Sequence, residues 1–194
     1  SEFNNLAKEV DVTIITNENS ADKLANLKSS LENVLKSFSI HVAQDLQHPK
    51  FLPWSHLVVM RRKVSDNSFT HFMYVEDDIK VSPQNIIYWI NARNALKTFN
   101  LIPSFIRTEI NFIDNETYIV DSTKKNNFKK TPRVYSLENN MAFVNLLFPH
   151  QPIYFFDKEL MNEYFNGPPS DPDFAIPAAK DHYQGIVERL DLML

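Results

Sequence analysis

Three consecutive carboxylates are the residues of this sequence with the clearest potential for chemistry. Glu76, Asp77 and Asp78, called the acidic triplet below, directly follow the apolar run at residues 70–75. Adjacent carboxylates repel one another, so in a partly desolvated crevice they need either raised pKa values or a compensating cation. Carboxylate oxygens suit Mg²⁺ or Mn²⁺, which keep positions open for water and substrate phosphate. The triplet therefore predicts a divalent-cation site, and the alternative interpretation is a solvated acidic turn before a helix.

Glycine is nearly absent from the chain and occurs only at Gly167 and Gly185. Loops that hold phosphate through backbone amides need several glycines within a short segment, as in P-loops and dinucleotide-binding turns. Neither kind of loop can form in this sequence. If the protein binds a nucleotide, a metal ion is the obvious means of neutralising its phosphates.

The segments that must position the triplet alternate between strand and helix patterns. Strands are predicted over residues 10–17, 38–43 and 70–75, the last being apolar enough to be central. Helices are predicted over residues 21–37, 54–63 and 83–99. Ser20 caps the first of these helices, and Ser82 with Pro83 starts the third as N-cap and first helical residue.

The second half of the chain is less regular. The patterns predict a strand over 102–110, a hairpin that joins 118–120 to 133–135, apolar segments at 142–147 and 153–156, and helices over 157–164 and 177–190. We predict one α/β domain over residues 1–194, with a mixed, mainly parallel central sheet flanked by helices. In such a sheet, ligands bind at the carboxyl ends of the strands, where the triplet lies.

Composition excludes several classes of protein. The chain has no cysteine, which excludes disulfides, thiolate zinc sites and cysteine nucleophiles. Its formal net charge of -4 lacks the basic footprint of a nucleic-acid binder. No apolar run approaches the roughly 20 residues of a membrane span. The polar opening Ser1-Glu2-Phe3 does not resemble a signal peptide, so we expect a cytoplasmic or otherwise soluble chain, compatible with being part of a longer protein.

Residues 74–83, Tyr-Val-Glu-Asp-Asp-Ile-Lys-Val-Ser-Pro, precede an aromatic-rich helix. This segment resembles the nucleotide-sugar site of glycosyltransferases with the GT-A fold. It is most similar to the Glu-Asp-Asp form of the DXD motif in enzymes of the N-acetylglucosaminyltransferase I type. The resemblance extends over about residues 1–110, which would form the nucleotide-sugar-binding half, with 111–194 as the acceptor-side half.

The resemblance implies a role for each residue of the triplet. Asp78 would coordinate Mn²⁺ or Mg²⁺ directly, while Glu76 and Asp77 would contact ribose, sugar or metal-bound water. The implied reaction is transfer of a hexose from a UDP-sugar donor to a hydroxyl of a glycan acceptor. The metal would stabilise the charge of the departing diphosphate. Glu76 departs from the standard motif, which has aspartate at both outer positions.

Four further residues are candidates for the chemistry of such an enzyme. The family often completes its metal site with a C-terminal His or Asp, for which His182 is preferred over His150. A lone histidine is more often a surface or hydrogen-bonded residue. An inverting transferase needs a carboxylate base to deprotonate the acceptor hydroxyl, with Glu109 the first candidate and Asp181 the second. The alternative for Glu109 is a structural ion pair with Arg107.

Polar residues elsewhere in the first half are candidates for contacts with the nucleotide. Thr16, Asn17 and Asn19 follow the first predicted strand, where the resemblance places the nucleotide base. They could equally well form a turn and a helix cap. Arg61 and Arg62 are candidates for contacts with the diphosphate, and their alternative is an ordinary solvated helix face.

Two alternatives to a transferase remain open. Asp78-Ile79-Lys80 has the acid-x-Lys spacing of restriction-type nucleases, in which one strand carries both the metal ligand and the lysine. The acidic net charge argues against that alternative. The other is a non-catalytic binding module of a larger protein with a vestigial metal site.

Overall fold

The computed structural model describes residues 6–44, 46, 49–120, 133–136, 141–144, 153–167 and 170. The chain divides into two compact units, Ser1–Thr70 and His71–Leu194. The described residues form a mixed α/β structure with four α-helices and four two-stranded sheets. In this part of the chain, no helix is long and apolar enough to cross a membrane.

The first unit is built on a parallel pair of strands joined by a helix. Its described elements are β1 (Val12–Thr16), α1 (Ala21–Glu32), β2 (Phe38–Val42), a 3-10 helix (Pro49–Ser55) and α2 (His56–Ser65). β1 and β2 pair in parallel, with Val12 opposite Phe38 and Thr16 opposite Val42. A parallel pair needs a crossover connection, which α1 supplies. The predicted strand–helix–strand order of this segment is confirmed.

Helix α1 is shorter than predicted, ending at Glu32 rather than at residue 37. The backbone amides of Val34 and Leu35 both donate to the carbonyl oxygen of Leu31, at 2.9 and 2.8 Å, which closes the last turn. The chain must then reverse direction so that β2 can run parallel to β1. The apolar residues keep their helical spacing beyond Glu32, which is why the predicted helix was too long. The chain leaves the helix there because it pairs with β1 as β2.

A buried histidine opens helix α2. His56 is only 2% exposed, and its Nδ1 contacts the carbonyl oxygen of Pro53. Burial lowers the pKa of His56 to about 4, and the contact with Pro53 opposes that shift only in part. The folded protein therefore keeps the ring neutral at pH values where the unfolded chain protonates it.

We expect this histidine to make the protein sensitive to mild acid. The folded pKa lies below the unfolded value of 6.5, so the stabilising contribution is complete above the unfolded pKa and is lost as the pH falls towards about 4. The free energy of unfolding should fall by about 3 kcal/mol over that interval. Urea unfolding of the wild-type chain and of His56→Leu across the interval measures this loss. Equal pH slopes in the two proteins would contradict the assignment.

The second unit contains the acidic triplet and the helix that follows it. Its described elements are β3 (His71–Val75), α3 (Pro83–Leu96), a 3-10 helix (Lys97–Phe99), β4 (Thr108–Ile110), β5 (Thr117–Ile119), β6 (Arg133–Ser136), β7 (Met141–Val144), β8 (Ile153–Asp157) and α4 (Lys158–Asn166). The predicted helices over 83–99 and 157–164 are confirmed. The final predicted helix, over 177–190, lies outside the described residues.

The core of this unit forms where α3 packs against β8. Trp89 is 1% exposed, its indole Nε1 donates to the carbonyl oxygen of Pro103 at 2.9 Å, and its ring meets Phe155 edge-on at 4.8 Å. Residues 153–156 of β8 are all buried. A run buried on both faces is apolar throughout, so the sequence of β8 shows no alternation. These contacts hold β3 and α3, and with them the ends of the triplet segment.

The prediction of a mainly parallel central sheet is wrong for the described strands. The three pairs β3–β8, β4–β5 and β6–β7 are antiparallel, and only β1–β2 is parallel. β3 pairs along its whole length with β8, from His71 opposite Asp157 to Val75 opposite Ile153. An apolar run indicates that a strand is buried, but it contains no information about the direction of its partner.

The predicted hairpin between residues 118–120 and 133–135 is also wrong. β5 pairs instead with β4, and β6 pairs with β7. The predicted strand over 102–110 is reduced to β4, since residues 101–107 are in neither helix nor strand. A tight turn at residues 111–116 joins β4 to β5, and closing a short loop costs less chain entropy than closing the predicted long one.

Candidate functional site

The acidic triplet lies in a turn directly after β3. β3 ends at Val75, and the amide of Ile79 donates to the carbonyl oxygen of Glu76 at 3.2 Å. Glu76 is half-buried, whereas Asp77 and Asp78 are exposed. The turn therefore separates the triplet into one inner carboxylate and two outer ones.

The start of helix α3 is fixed a few residues beyond the turn. The Ser82 side chain accepts from the amide of Asn85 at 3.4 Å, and the Asn85 side chain accepts from the amide of Ser82 at 2.8 Å. Pro83 occupies the first turn, as predicted. A reciprocal cap of this kind satisfies amides that the helix itself leaves unpaired. The segment from Glu76 to Val81 is therefore anchored at both ends, by β3 and by this cap.

Tyr74 connects the inner carboxylate to the core. Its ring stacks on Tyr154, its partner across the β3–β8 pair, with centroids 5.7 Å apart. Burial raises the pKa of Tyr74, and the charges of Glu76 and Asp77 and a hydrogen bond to Glu76 raise it further. The phenol therefore stays protonated and donates to the Glu76 carboxylate. Sequence reasoning missed the role of this residue, although a spacing of two residues at the end of a strand favours side chains on the same side.

The two outer carboxylates are available to a ligand. Asp77 and Asp78 form no side-chain hydrogen bond or ion pair with the described residues. Within the same part of the chain, no three His, Cys, Asp or Glu side chains converge as a metal-binding group. The oxygen donors fit Mg²⁺ or Mn²⁺, since Mg²⁺ is commonly held by one or two carboxylates together with substrate phosphates and water. Such a site is completed by the substrate rather than by a third protein ligand.

Hydrogen bonds within the polar loop after β1 form a turn, which is the alternative that the sequence left open for these residues. The Thr16 hydroxyl accepts from the amide of Glu18 at 3.0 Å, and a Glu18 carboxylate oxygen accepts from the amides of Asn19 and Ser20 at 3.1 and 3.0 Å. Lys23 pairs with the same carboxylate at 2.7 Å. Thr16 is thus part of the turn, which leaves the exposed side chains of Asn17 and Asn19 as the groups best presented to a ligand.

Arg61 and Arg62 both lie on the exposed surface of α2, in the first unit. The carbonyl oxygen of Arg62 accepts from the amide of Asp66, which ends the helix. Exposed arginines near a helix C-terminus also interact favourably with the helix dipole. Their placement fits a solvated helix face, and their predicted contact with a diphosphate stays a prediction.

Of the candidate catalytic bases and C-terminal metal ligands, only Glu109 lies among the described residues. Glu109 lies on β4 and accepts a hydrogen bond from Arg107 at 2.7 Å, with its side chain 58% exposed. The ion pair considered for this residue is therefore present, and it is compatible with a carboxylate that also accepts a proton. His182, Asp181 and His150 lie outside the described residues.

No family model, curated protein or solved structure matches this chain. Membership of the glycosyltransferase family is accordingly a proposal, and the residues that carry it are those of the triplet segment, 74–83.

Proposed function

We propose that this chain is a metal-dependent glycosyltransferase that moves a hexose from a UDP-sugar to a hydroxyl of a glycan. The proposal rests on the exposure and the hydrogen bonding of the three carboxylates of the triplet. Asp77 and Asp78 are exposed in the turn between β3 and α3, without hydrogen-bond or ion-pair partners among the described residues, while Glu76 is tied back to Tyr74. Two adjacent carboxylates that no protein cation pairs with supply the oxygen ligands that Mg²⁺ or Mn²⁺ takes together with substrate phosphate and water.

The roles within the proposed site follow from this separation. Asp78 binds Mn²⁺ or Mg²⁺ directly, and the bound metal supplies compensation for the charge on the departing diphosphate. Asp77 orients the sugar or a metal-bound water. Glu76, whose carboxylate already accepts from Tyr74, hydrogen-bonds the ribose and holds the turn. Glu109 remains the proposed base toward the acceptor hydroxyl, with Arg107 hydrogen-bonded to one of its carboxylate oxygens.

The proposed fold is GT-A-like. The support for it is the parallel β1–α1–β2 segment, which has the order of the first strand–helix unit of such domains. A second support is the order of elements in the second unit, in which β3 is followed by the acidic turn and then by the capped helix α3. The antiparallel β3–β8 pair is compatible with a mixed sheet.

Thermal unfolding in the presence of nucleotide tests the proposal. We expect UDP to raise the melting temperature only when Mn²⁺ or Mg²⁺ is present. With ligand at about 100 times its Kd, the rise should be about 5 °C or more. UDP with a chelator and Mn²⁺ without nucleotide are the matched controls. Equal melting temperatures in all conditions, for UDP and for other nucleoside diphosphates alike, would refute the proposed function.

The nuclease alternative loses its structural support. It requires a strand that carries both the acid and the lysine, but β3 ends at Val75, and residues 76–82 are in neither helix nor strand. Cleavage of plasmid DNA that disappears in Asp78→Ala would nevertheless restore it. The binding-module alternative predicts that Asp78→Ala leaves every measured ligand affinity unchanged.

A further inference from the structure

The tip of the β4–β5 hairpin exposes two large apolar side chains. Six residues, 111–116, join Ile110 at the end of β4 to Thr117 at the start of β5. Phe112 is 97% exposed and Ile113 is 96% exposed, more than any other large hydrophobic residue in the described part of the chain. Single apolar residues on a surface need no explanation, but two adjacent and fully exposed ones indicate a surface that something covers.

Hydrogen bonds hold the tip in this conformation. The amide of Ile113 donates to the Asn111 side chain at 2.9 Å, and the amide of Asn115 donates to the Asn111 carbonyl at 2.8 Å. The Asp114 carboxylate accepts from the amide of Glu116 at 3.0 Å and from the Tyr118 hydroxyl at 2.8 Å. Because the turn is fixed in this way, the exposure of the apolar pair is a property of the fold.

The same turn contains Asn115-Glu116-Thr117, the only Asn-x-Ser/Thr sequence in the 194 residues. Asn115 has a φ of 57°, in the left-handed region that asparagine tolerates well at tight turns. Both Asn115 and Thr117 are exposed. Neither side chain forms a hydrogen bond with the described residues, so the acceptor amide and the hydroxyl two residues later are both available.

We propose that Asn115 is an N-glycosylation site and that the first sugar of its glycan covers Phe112. The acceptor triplet and the exposed ring lie on one short turn, three residues apart. The CH-rich face of a hexosamine ring packs well against an aromatic ring, which removes apolar surface from water. The glycan is thus the cover that the exposed tip lacks in the bare polypeptide.

The modification is a group transfer from an activated lipid-linked sugar. The Nδ2 of Asn115 attacks the anomeric carbon of an oligosaccharide carried on a polyprenyl diphosphate. A C–N bond forms, the bond from the anomeric carbon to the diphosphate oxygen breaks, and the amide proton passes to a base of the transferring enzyme. The Thr117 hydroxyl is the recognition group that this acceptor pattern requires. Because Asn115 is exposed on a turn, the folded chain accommodates the glycan without displacing any contact.

Other covers fit the tip less well. Asp114 and Glu116 follow the apolar pair in the same turn, so an anionic membrane surface would repel the tip. A second copy of the chain could bury the pair, and that possibility gives a measurable outcome. This inference is independent of the proposed glycosyltransferase activity, since it concerns a different hairpin and needs no metal or nucleotide.

Expression of the full chain behind a secretory leader in a cell that N-glycosylates tests the first half of the proposal. The expected product carries one glycan, and its enzymatic removal converts Asn115 to aspartate, which peptide mass spectrometry detects. Thr117→Ala should abolish the glycan, whereas Thr117→Ser should keep it. A secreted, folded chain without a glycan at Asn115 would overturn the assignment.

The second half is tested by comparing melting temperatures with and without the glycan. Removing the glycan should lower the melting temperature by about 3 °C in the wild-type chain and by a much smaller amount in Phe112→Ala. An equal decrease in both proteins would show that Phe112 does not hold the sugar. Concentration-dependent dimerisation of the unglycosylated chain that Phe112→Ala abolishes would make a second copy the natural cover and would also overturn the proposal.

Discussion

Replacing Asp78 with asparagine should weaken the binding of UDP in the presence of Mn²⁺ by a factor of about 100 or more. Asparagine keeps the size of the side chain and one carbonyl oxygen, but it removes the charge that a divalent cation requires. Any transferase activity should fall at least as far, because stabilisation of the departing diphosphate is lost along with the metal. This is the largest functional effect that the proposed site predicts for a single substitution.

The same substitution should leave the fold intact. Asp78 is exposed and has no hydrogen-bond or ion-pair partner among the described residues, and surface changes of this kind alter stability by about 0.5 kcal/mol or less. Calorimetric titration with UDP and Mn²⁺ measures the affinity, and thermal unfolding without ligand verifies the fold. Glu163→Gln, which removes an exposed carboxylate from α4, is the matched control and should bind as the wild type does. Equal affinities in Asp78→Asn and the control would exclude Asp78 as the metal ligand.

Arg93→Met should destabilise the protein by about 3 kcal/mol, the largest effect on stability that we expect from one substitution. The Arg93 side chain is 9% exposed, and its Nε donates to Asp157 at 2.9 Å. Its second contact is with Glu159, 3.6 Å from Nη2. Asp157 in turn caps α4 by accepting from the amide of Leu160 at 2.8 Å. Methionine preserves most of the packing volume. The loss of stability therefore measures mainly the removal of the positive charge that pairs with Asp157.

The ion pair also predicts how this loss depends on pH. Burial alone would raise the pKa of Asp157, but the hydrogen bond from Arg93, the bond from the Leu160 amide and the charges of Arg93 and Lys97 together lower it below 3.8. For a carboxylate with a lowered folded pKa, the stabilisation is present above the unfolded pKa and is lost as the pH falls through the folded one. The difference between the wild type and Arg93→Met should therefore shrink below about pH 4.

Urea unfolding at constant m value measures both effects. Lys97→Met is the control because Lys97 pairs with the same Glu159, but both side chains are more than half exposed. An exposed pair of this kind is worth about 1 kcal/mol or less. If Arg93→Met and Lys97→Met lowered stability equally, or if the loss in Arg93→Met persisted unchanged in acid, the buried ion pair would not be the cause.

Local signals account for the parts of the candidate site that the sequence predicted well. The apolar run that became β3, the acidic triplet after it, and the cap formed by Ser82 with Pro83 lie within about a dozen residues. Caps, turns and strand ends depend on contacts between neighbours in the chain, so their residue types are visible without any knowledge of the fold. The existence of β3, α3 and the turn between them could therefore be predicted.

The direction of strand pairing and the contacts around the triplet depend on residues that are distant in the sequence. β8 pairs antiparallel with β3, and this brings Tyr154 onto Tyr74, which donates to Glu76 and separates it from Asp77 and Asp78. Arg93 meets Asp157 in the same way, across the packing of α3 on β8. The apolar pattern of a strand is the same whichever partner covers it, so neither the direction of pairing nor these contacts could be predicted. The acidic triplet was determined by the sequence alone, but the difference between its inner and outer carboxylates arises only in the tertiary structure.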